Sequence, residues 1–342
     1  MKIGHMTMKR ICLSTVFAGI VLAFLTTPTM ARAASTGFAL SAKLPENQIS
    51  ANTFFDLKVV PEQREALTLV VKNLEDQPVT LEVSPNPAFT NNNGVIEYSQ
   101  YDYPKDSSAQ YTLPELFSEP QEVSLAANEE KEVTFQLTVP KTPFNGTILG
   151  GIYALRKADE KDRNAPAIRI NNQFAMVLGV ALTEDPSQTI LPQLRLNAVQ
   201  AGVVNARTSV TANLQNSQPQ GFSSMSVEAK IYQKGSKTVY RKSKKKDLEM
   251  APNSNFDFAI DWQDQPIEAG KYQLTLIAKS GTERWQFTRD FSVTAQNAKK
   301  VNEEALNLKK PSFNWWLLLL ALLLLLILLL LAYKLGKRKQ TE

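Results

Sequence analysis

Val133-Thr134-Phe135-Gln136-Leu137-Thr138-Val139 alternates apolar and polar residues without a break. Successive side chains of an extended chain point to opposite faces, so this is a half-buried strand with Val133, Phe135, Leu137 and Val139 turned inward. Pro140, Pro143 and Asn145-Gly146 end it, and Thr147 to Leu155 (TILGGIYAL) starts the next strand. Working back, Phe54 to Val60, Leu67 to Val71 and Val79 to Val83 are strand-like, with a turn from Asn73 to Pro78. Working forward, the hydrophilic stretch Lys157 to Pro166 interrupts the pattern. Further runs then cover residues 168–182, 194–204, 208–214, 226–232, 256–262, 272–278 and 285–294. Such spacing predicts an all-β ectodomain of two immunoglobulin-like β-sandwich domains, over residues 36–157 and 166–296. Residues 168–182 fit two places: the opening of the second domain, or a returning edge strand of the first. Outside a C-terminal apolar run, no helical period lasts long enough to compete.

The ends of the chain carry addresses. Lys9 and Arg10, the mostly apolar stretch Ile11 to Leu25, and Ala31-Arg32-Ala33 form the three parts of a secretory signal peptide over residues 1–34. Trp315 to Tyr333 is nearly all Leu, and as a helix it would span roughly 28 Å at about 1.5 Å per residue, close to a bilayer core. Trp315, Trp316 and Tyr333 sit where amphipathic rings favour the headgroup layer, and Lys334, Lys337, Arg338 and Lys339 follow. The expectation is a transmembrane helix over 313–333 and a cytoplasmic tail over 334–342. Residues 297–312 read as a polar stalk, and the large domains lie outside the cell. The stretch Lys309 to Asn314 (KKPSFN) holds no LPxTG-type sorting motif, so the helix should persist as the anchor.

Composition narrows the chemistry. The chain has 38 Lys+Arg against 33 Asp+Glu. Eight of the basic residues lie in the signal region and tail, which leaves a near-neutral ectodomain and no case for nucleic acid. The single Cys (Cys12) and single His (His5) both precede the expected cleavage site. A mature chain without them has no disulfide, no Ser-His-Asp triad, no Cys nucleophile and no His or Cys metal ligand. No phosphate-binding or nucleophile-elbow motif occurs, so no catalytic residue, cofactor or metal is expected. An enzyme reading would need a carboxylate pair such as Asp102 or Asp106, whose only distinction is nearby tyrosines.

Several segments together resemble the WxL-interacting protein family. In the first half these are Leu44-Pro45-Glu46-Asn47-Gln48, Phe55-Asp56-Leu57-Lys58-Val59, Ala88 to Tyr98 (AFTNNNGVIEY) and Ile148-Leu149-Gly150-Gly151-Ile152. In the second half they are Leu214-Gln215-Asn216, Met250 to Phe256 (MAPNSNF) and Ala269-Gly270-Lys271-Tyr272. The resemblance covers essentially the whole chain, though no single motif is diagnostic. It implies a Gram-positive cell-surface protein with a peptidoglycan-binding first domain and a host-binding second domain. It also implies a WxL-domain protein and a host extracellular-matrix protein as partners, and no catalytic activity.

Two surfaces stand out. Asn91 to Gly94 mark a turn, and with Thr90, Asn91, Asn93, Tyr98, Tyr101 and Tyr103 they would offer amides and rings to a sugar. The plainer reading is a tight loop whose tyrosines cap the core. Arg241, Lys242, Lys244, Lys245 and Lys246 form the strongest basic run of the ectodomain. It would meet wall phosphates or an acidic partner, or else be a solvated hairpin tip.

Overall fold

The computed structural model describes residues 37–157, 173–306, 308 and 315–338. The expected signal peptide and Lys339 lie outside the described residues. The first sandwich is built from β1 (Phe38–Lys43), β2 (Phe55–Lys58), β3 (Arg64–Asn73), β4 (Val79–Pro87), β7 (Gln121–Leu125), β8 (Glu130–Thr138), β9 (Thr147–Arg156) and β10 (Ala175–Thr183). A small hairpin, β5 (Phe89–Thr90) with β6 (Ile96–Glu97), projects from it. One sheet runs β1-β3-β8 and the other β2-β10-β9-β4-β7.

The alternating stretch behaves as its pattern dictates. Val133, Phe135, Leu137 and Val139 are buried, while Thr134, Gln136 and Thr138 are exposed. Its register on β3 sets Phe135 opposite Leu67 and Val133 opposite Leu69. Burying each such side chain contributes about 1.5–3 kcal/mol, and with no cysteine in the described residues that burial holds the domain. Residues 175–183 join this first core. β10 pairs antiparallel with β9, from Ala175 opposite Leu155 to Thr183 opposite Thr147, and buries Leu178, Val180 and Leu182 in it.

The second core begins at Leu194. Its strands are β11 (Leu194–Val204), β12 (Arg207–Asn216), β13 (Phe222–Gln233), β14 (Val239–Met250), β15 (Ser254–Asp261), β16 (Gly270–Ser280) and β17 (Glu283–Val293). The sheets run β11-β12-β15 and β14-β13-β16-β17. Trp262 lies at its centre, fully buried, edge-on to Tyr240 (centroids 5.5 Å apart) and Tyr272 (5.8 Å).

Both sandwiches use one internal clamp that the sequence reading missed. At the end of β3, the fully buried Asn73 donates to the carbonyls of Gln77 and Ala126 and accepts from the Glu75 amide. At the end of β12, the fully buried Asn216 donates to Gln220 and Ala251 and accepts from the Gln218 amide. Each ties one turn to the turn that precedes the partner strand, and satisfied buried amides of this kind fix a unique loop geometry.

The region expected to be a stalk is partly folded. α1 (Ala295–Glu304) is capped by Thr294, whose hydroxyl accepts from the Asn297 amide, and it buries Ala298 and Val301 in the second core. Asn302 fastens it by donating to the Ile267 carbonyl and accepting from the Ile267 amide. An i, i+3 pair of small apolar residues in a polar sequence gave little signal. α2 (Trp315–Arg338) is a helix of 24 residues. Trp316 and the leucines described from Leu319 to Leu330 are exposed. Among the described residues no helix is long and apolar enough to cross a membrane.

Candidate functional site

The β5–β6 hairpin and the loop after it meet the turns of the second domain. The Asn91 side-chain oxygen accepts from the amides of Asn93 (2.9 Å) and Val95 (3.2 Å), which closes the turn, and Gly94 takes φ +77°. Thr90 is buried against the second domain. Its hydroxyl accepts from the Ala251 amide (3.0 Å) and bonds the Ser254 hydroxyl (2.7 Å). The Glu249 amide donates to the Gly94 carbonyl, the Asp257 amide to the Asn92 side chain, and the Thr147 amide to the Pro219 carbonyl. Asn253 donates from its side chain to the carbonyl and hydroxyl of Ser108. The hairpin proposed from sequence as a sugar platform therefore builds the seam between the two sandwiches.

The tyrosines divide. Tyr103 stacks on Phe89 with centroids 3.9 Å apart. Tyr98 is half-buried, and its carbonyl accepts from Asn86. Tyr101 donates to Glu119 (3.3 Å). Burial first, then nearby carboxylates, raises the pKa of all three: Glu249 for Tyr98, Glu119 for Tyr101, and Asp257, Asp106 and Glu97 for Tyr103. Each hydroxyl therefore stays a proton donor across the physiological range.

Within the seam lies a cavity of about 190 Å³. Phe89, Tyr103, Tyr111 and Phe144 supply rings to its wall, and Gln110 and Asn145 supply amides. Its size suits one sugar ring or one short side chain, below the roughly 300 Å³ of a drug-sized site. Of the residues singled out from sequence as ligand-binding, only Tyr103 lines it; Gln110, Asn145 and Phe144 were missed because each reads locally as turn or core.

Asp106 carries no free carboxylate for chemistry. It accepts from the Ser108 amide (2.8 Å) and hydroxyl (2.7 Å), and across the seam from Gln215 (2.7 Å) and Asn255 (2.6 Å). Burial works to raise its pKa, but these donors outweigh burial and hold it below the ordinary carboxylate value. A depressed folded pKa stabilises above the unfolded value of about 3.9, and that stabilisation is lost as pH falls through the folded pKa. Acidification below pH 4 should therefore loosen the seam. Fluorescent labels on the two sandwiches would report it, and in Asp106→Asn the signal should lose this pH dependence.

The basic run forms part of β14, an edge strand of 12 residues. Its alternate residues Arg241, Ser243 and Lys245 share a face with the buried Ile231, Ala229 and Val227. The Arg241 guanidinium lies 4.3 Å from the Tyr240 ring centroid and 5.0 Å from that of Trp262, and Lys245 lies over Phe258 at 5.8 Å. Lys242 and Lys244 face outward, opposite Lys230 and Glu228, and Lys246 is exposed.

Comparison with known proteins finds two successive family-domain matches along the chain. Residues 38–156 match the model of the WxL Interacting Protein peptidoglycan binding domain, and residues 166–303 match that of its host binding domain. The second match takes in β10, which packs in the first sandwich. No curated protein sequence matches the chain. Similar solved structures include the Pseudomonas aeruginosa CupB2 chaperone, at 18% identity and TM-score 0.25, covering 69% of this chain and 97% of that one. The E. coli chaperone DraB is 14% identical at TM-score 0.27, covering 75% and 95%. The PapD-like domain 7 of human CEP192 is 15% identical at TM-score 0.28, covering 47% and 94%. Likenesses this distant carry no functional argument. Order, extent and both domain matches agree: the chain belongs to the WxL-interacting protein family.

Proposed function

We propose that this chain is a non-catalytic scaffold, anchored in the cell membrane by α2 with both sandwiches on the wall side. The first sandwich binds peptidoglycan, and the second holds a WxL-domain surface protein, a host matrix protein, or both. The observation that carries the reading is that two separate binding-domain matches fall on two sandwiches joined by a hydrogen-bonded seam. Two modest sites on one tethered chain gain from effective concentration, so neither needs high affinity. The leucines of α2 are exposed along its described length, as expected of a surface that meets lipid. The seam cavity, with its Phe89–Tyr103 stack and the Gln110 and Asn145 amides, is the proposed contact for one wall sugar.

The test is co-sedimentation of the detergent-solubilised full chain with purified wall sacculi, beside capture of a purified WxL-domain protein. Tyr103→Ala should weaken pelleting with sacculi about ten-fold while leaving WxL capture unchanged. Failure of the unaltered chain to pellet, where a known wall binder does, would refute the peptidoglycan half.

A further inference from the structure

The outer face of the sheet β14-β13-β16-β17 is a charged plane. Val227, Ala229 and Ile231 of β13 and Leu274, Leu276 and Ala278 of β16 are buried, so the residues between them point outward. Cross-strand register then sets Lys230 opposite Lys242 and Lys279 opposite Arg284. Like charges directly opposite one another destabilise a sheet. Two such pairs on one face run against folding stability, and these exposed or half-exposed positions have no packing need for lysine.

The acids that the register turns outward do not neutralise the plane. Glu228 is engaged by Lys230 (2.8 Å) and Lys244 (3.7 Å), and Asp290 pairs with Lys234. Lys242, Lys271 and Lys279 form no ion pair among the described residues. The opposite sheet differs: its strands β11, β12 and β15 contain no lysine, and on β12 the outward-turned Ser209 and Thr211 are buried.

We infer that this face binds a linear sulfated polysaccharide of the host matrix, an inference that rests on the host-binding reading of the second domain. Three features favour that occupant. Lys230 beside Lys242 and Lys279 beside Arg284 occupy positions about 4.8 Å apart across strands, and Lys242 and Lys244 follow one another about 6.8 Å apart along β14, so the cations are spread in groups over a flat face, as an extended polyanion needs. Most are lysines, point charges that need no bidentate fork, which suits dispersed sulfates. Among the described residues, the large apolar or aromatic side chains that the register turns outward on this face are Tyr232, Val239 and Ile277, of which only Val239 is exposed, fewer than a lipid-docking or protein-docking surface presents.

The probe is heparin, with the full chain in detergent micelles. Binding is expected to weaken as salt rises, and N- and O-desulfated heparin should not bind. Lys230→Gln/Lys242→Gln/Lys279→Gln should lower heparin affinity at least ten-fold. Lys72→Gln/Lys299→Gln/Lys300→Gln, which removes equal charge from exposed sites elsewhere, should leave it within two-fold. Equal loss in both triple variants would overturn the assignment, and so would stronger binding to purified lipoteichoic acid than to heparin. Capture of host matrix protein without any heparin binding would sink this inference and leave the host-binding reading standing. Binding to neither heparin nor matrix would remove both.

Discussion

Trp262→Ala should lower the stability of the second sandwich by about 3–5 kcal/mol, the cost of emptying a large aromatic site in a core that relaxes only in part. Trp262 is fully buried and is the largest of the fully buried side chains. It touches Tyr240 and Tyr272 edge-on, and Tyr272 in turn stacks on Phe291 at 5.5 Å. Its carbonyl accepts from Arg241, and its amide donates to Thr208, so β12, β14 and the turn after β15 converge on one residue. A domain of this kind is stable by only about 5–15 kcal/mol and has no disulfide to fall back on. Denaturant unfolding followed on both domains should show the second transition moving to lower denaturant while the first keeps its midpoint. A shift worth under about 1 kcal/mol would show that the aromatic cluster is not the centre of this core.

Gly146→Ala should uncouple the two sandwiches without unfolding either. Gly146 takes φ +70°, where a side chain costs about 1–3 kcal/mol. A Cβ there would also collide with the backbone carbonyl of Pro219, the group that accepts the Thr147 amide across the seam. Backbone cannot yield as a side-chain tip can, so the strain falls on the contact between domains. The residues between β10 and β11 should become protease-sensitive, and small-angle scattering should show a broader set of domain orientations. Unchanged proteolysis with a normal scattering curve would mean that the Asn253 and Thr90 contacts suffice by themselves.

Which features were legible in the sequence follows from where burial shows in residue type. The period of two in Val133–Val139 and in Tyr272–Ala278 appears because those strands bury aliphatic residues on one face. β14 escaped notice because its inward positions are Arg241, Ser243 and Lys245, with the Arg241 guanidinium over Tyr240 and Trp262 and the Lys245 ammonium over Phe258. What reads as a charged tip is a strand that closes the core with amphipathic side chains. The Asn91–Gly94 turn was legible as a turn, but its role was not. Whether an amide faces a ligand or a neighbouring domain depends on what the fold brings opposite, here Ala251, Ser254 and Asp257, well over a hundred residues away. The clamp asparagines Asn73 and Asn216 are likewise invisible locally, since each takes its distant carbonyl from a separate turn.

The docking of α1 changes how far the binding modules can stray. With Ala298 and Val301 in the core and the Leu306 amide donating to the Ala206 carbonyl, the chain stays fastened to the second sandwich as far as residue 306. Eight residues separate that point from the start of α2, and eight residues span at most about 29 Å. With α2 as the proposed anchor, the second sandwich works on a short tether, and anything it captures is drawn close to the bilayer.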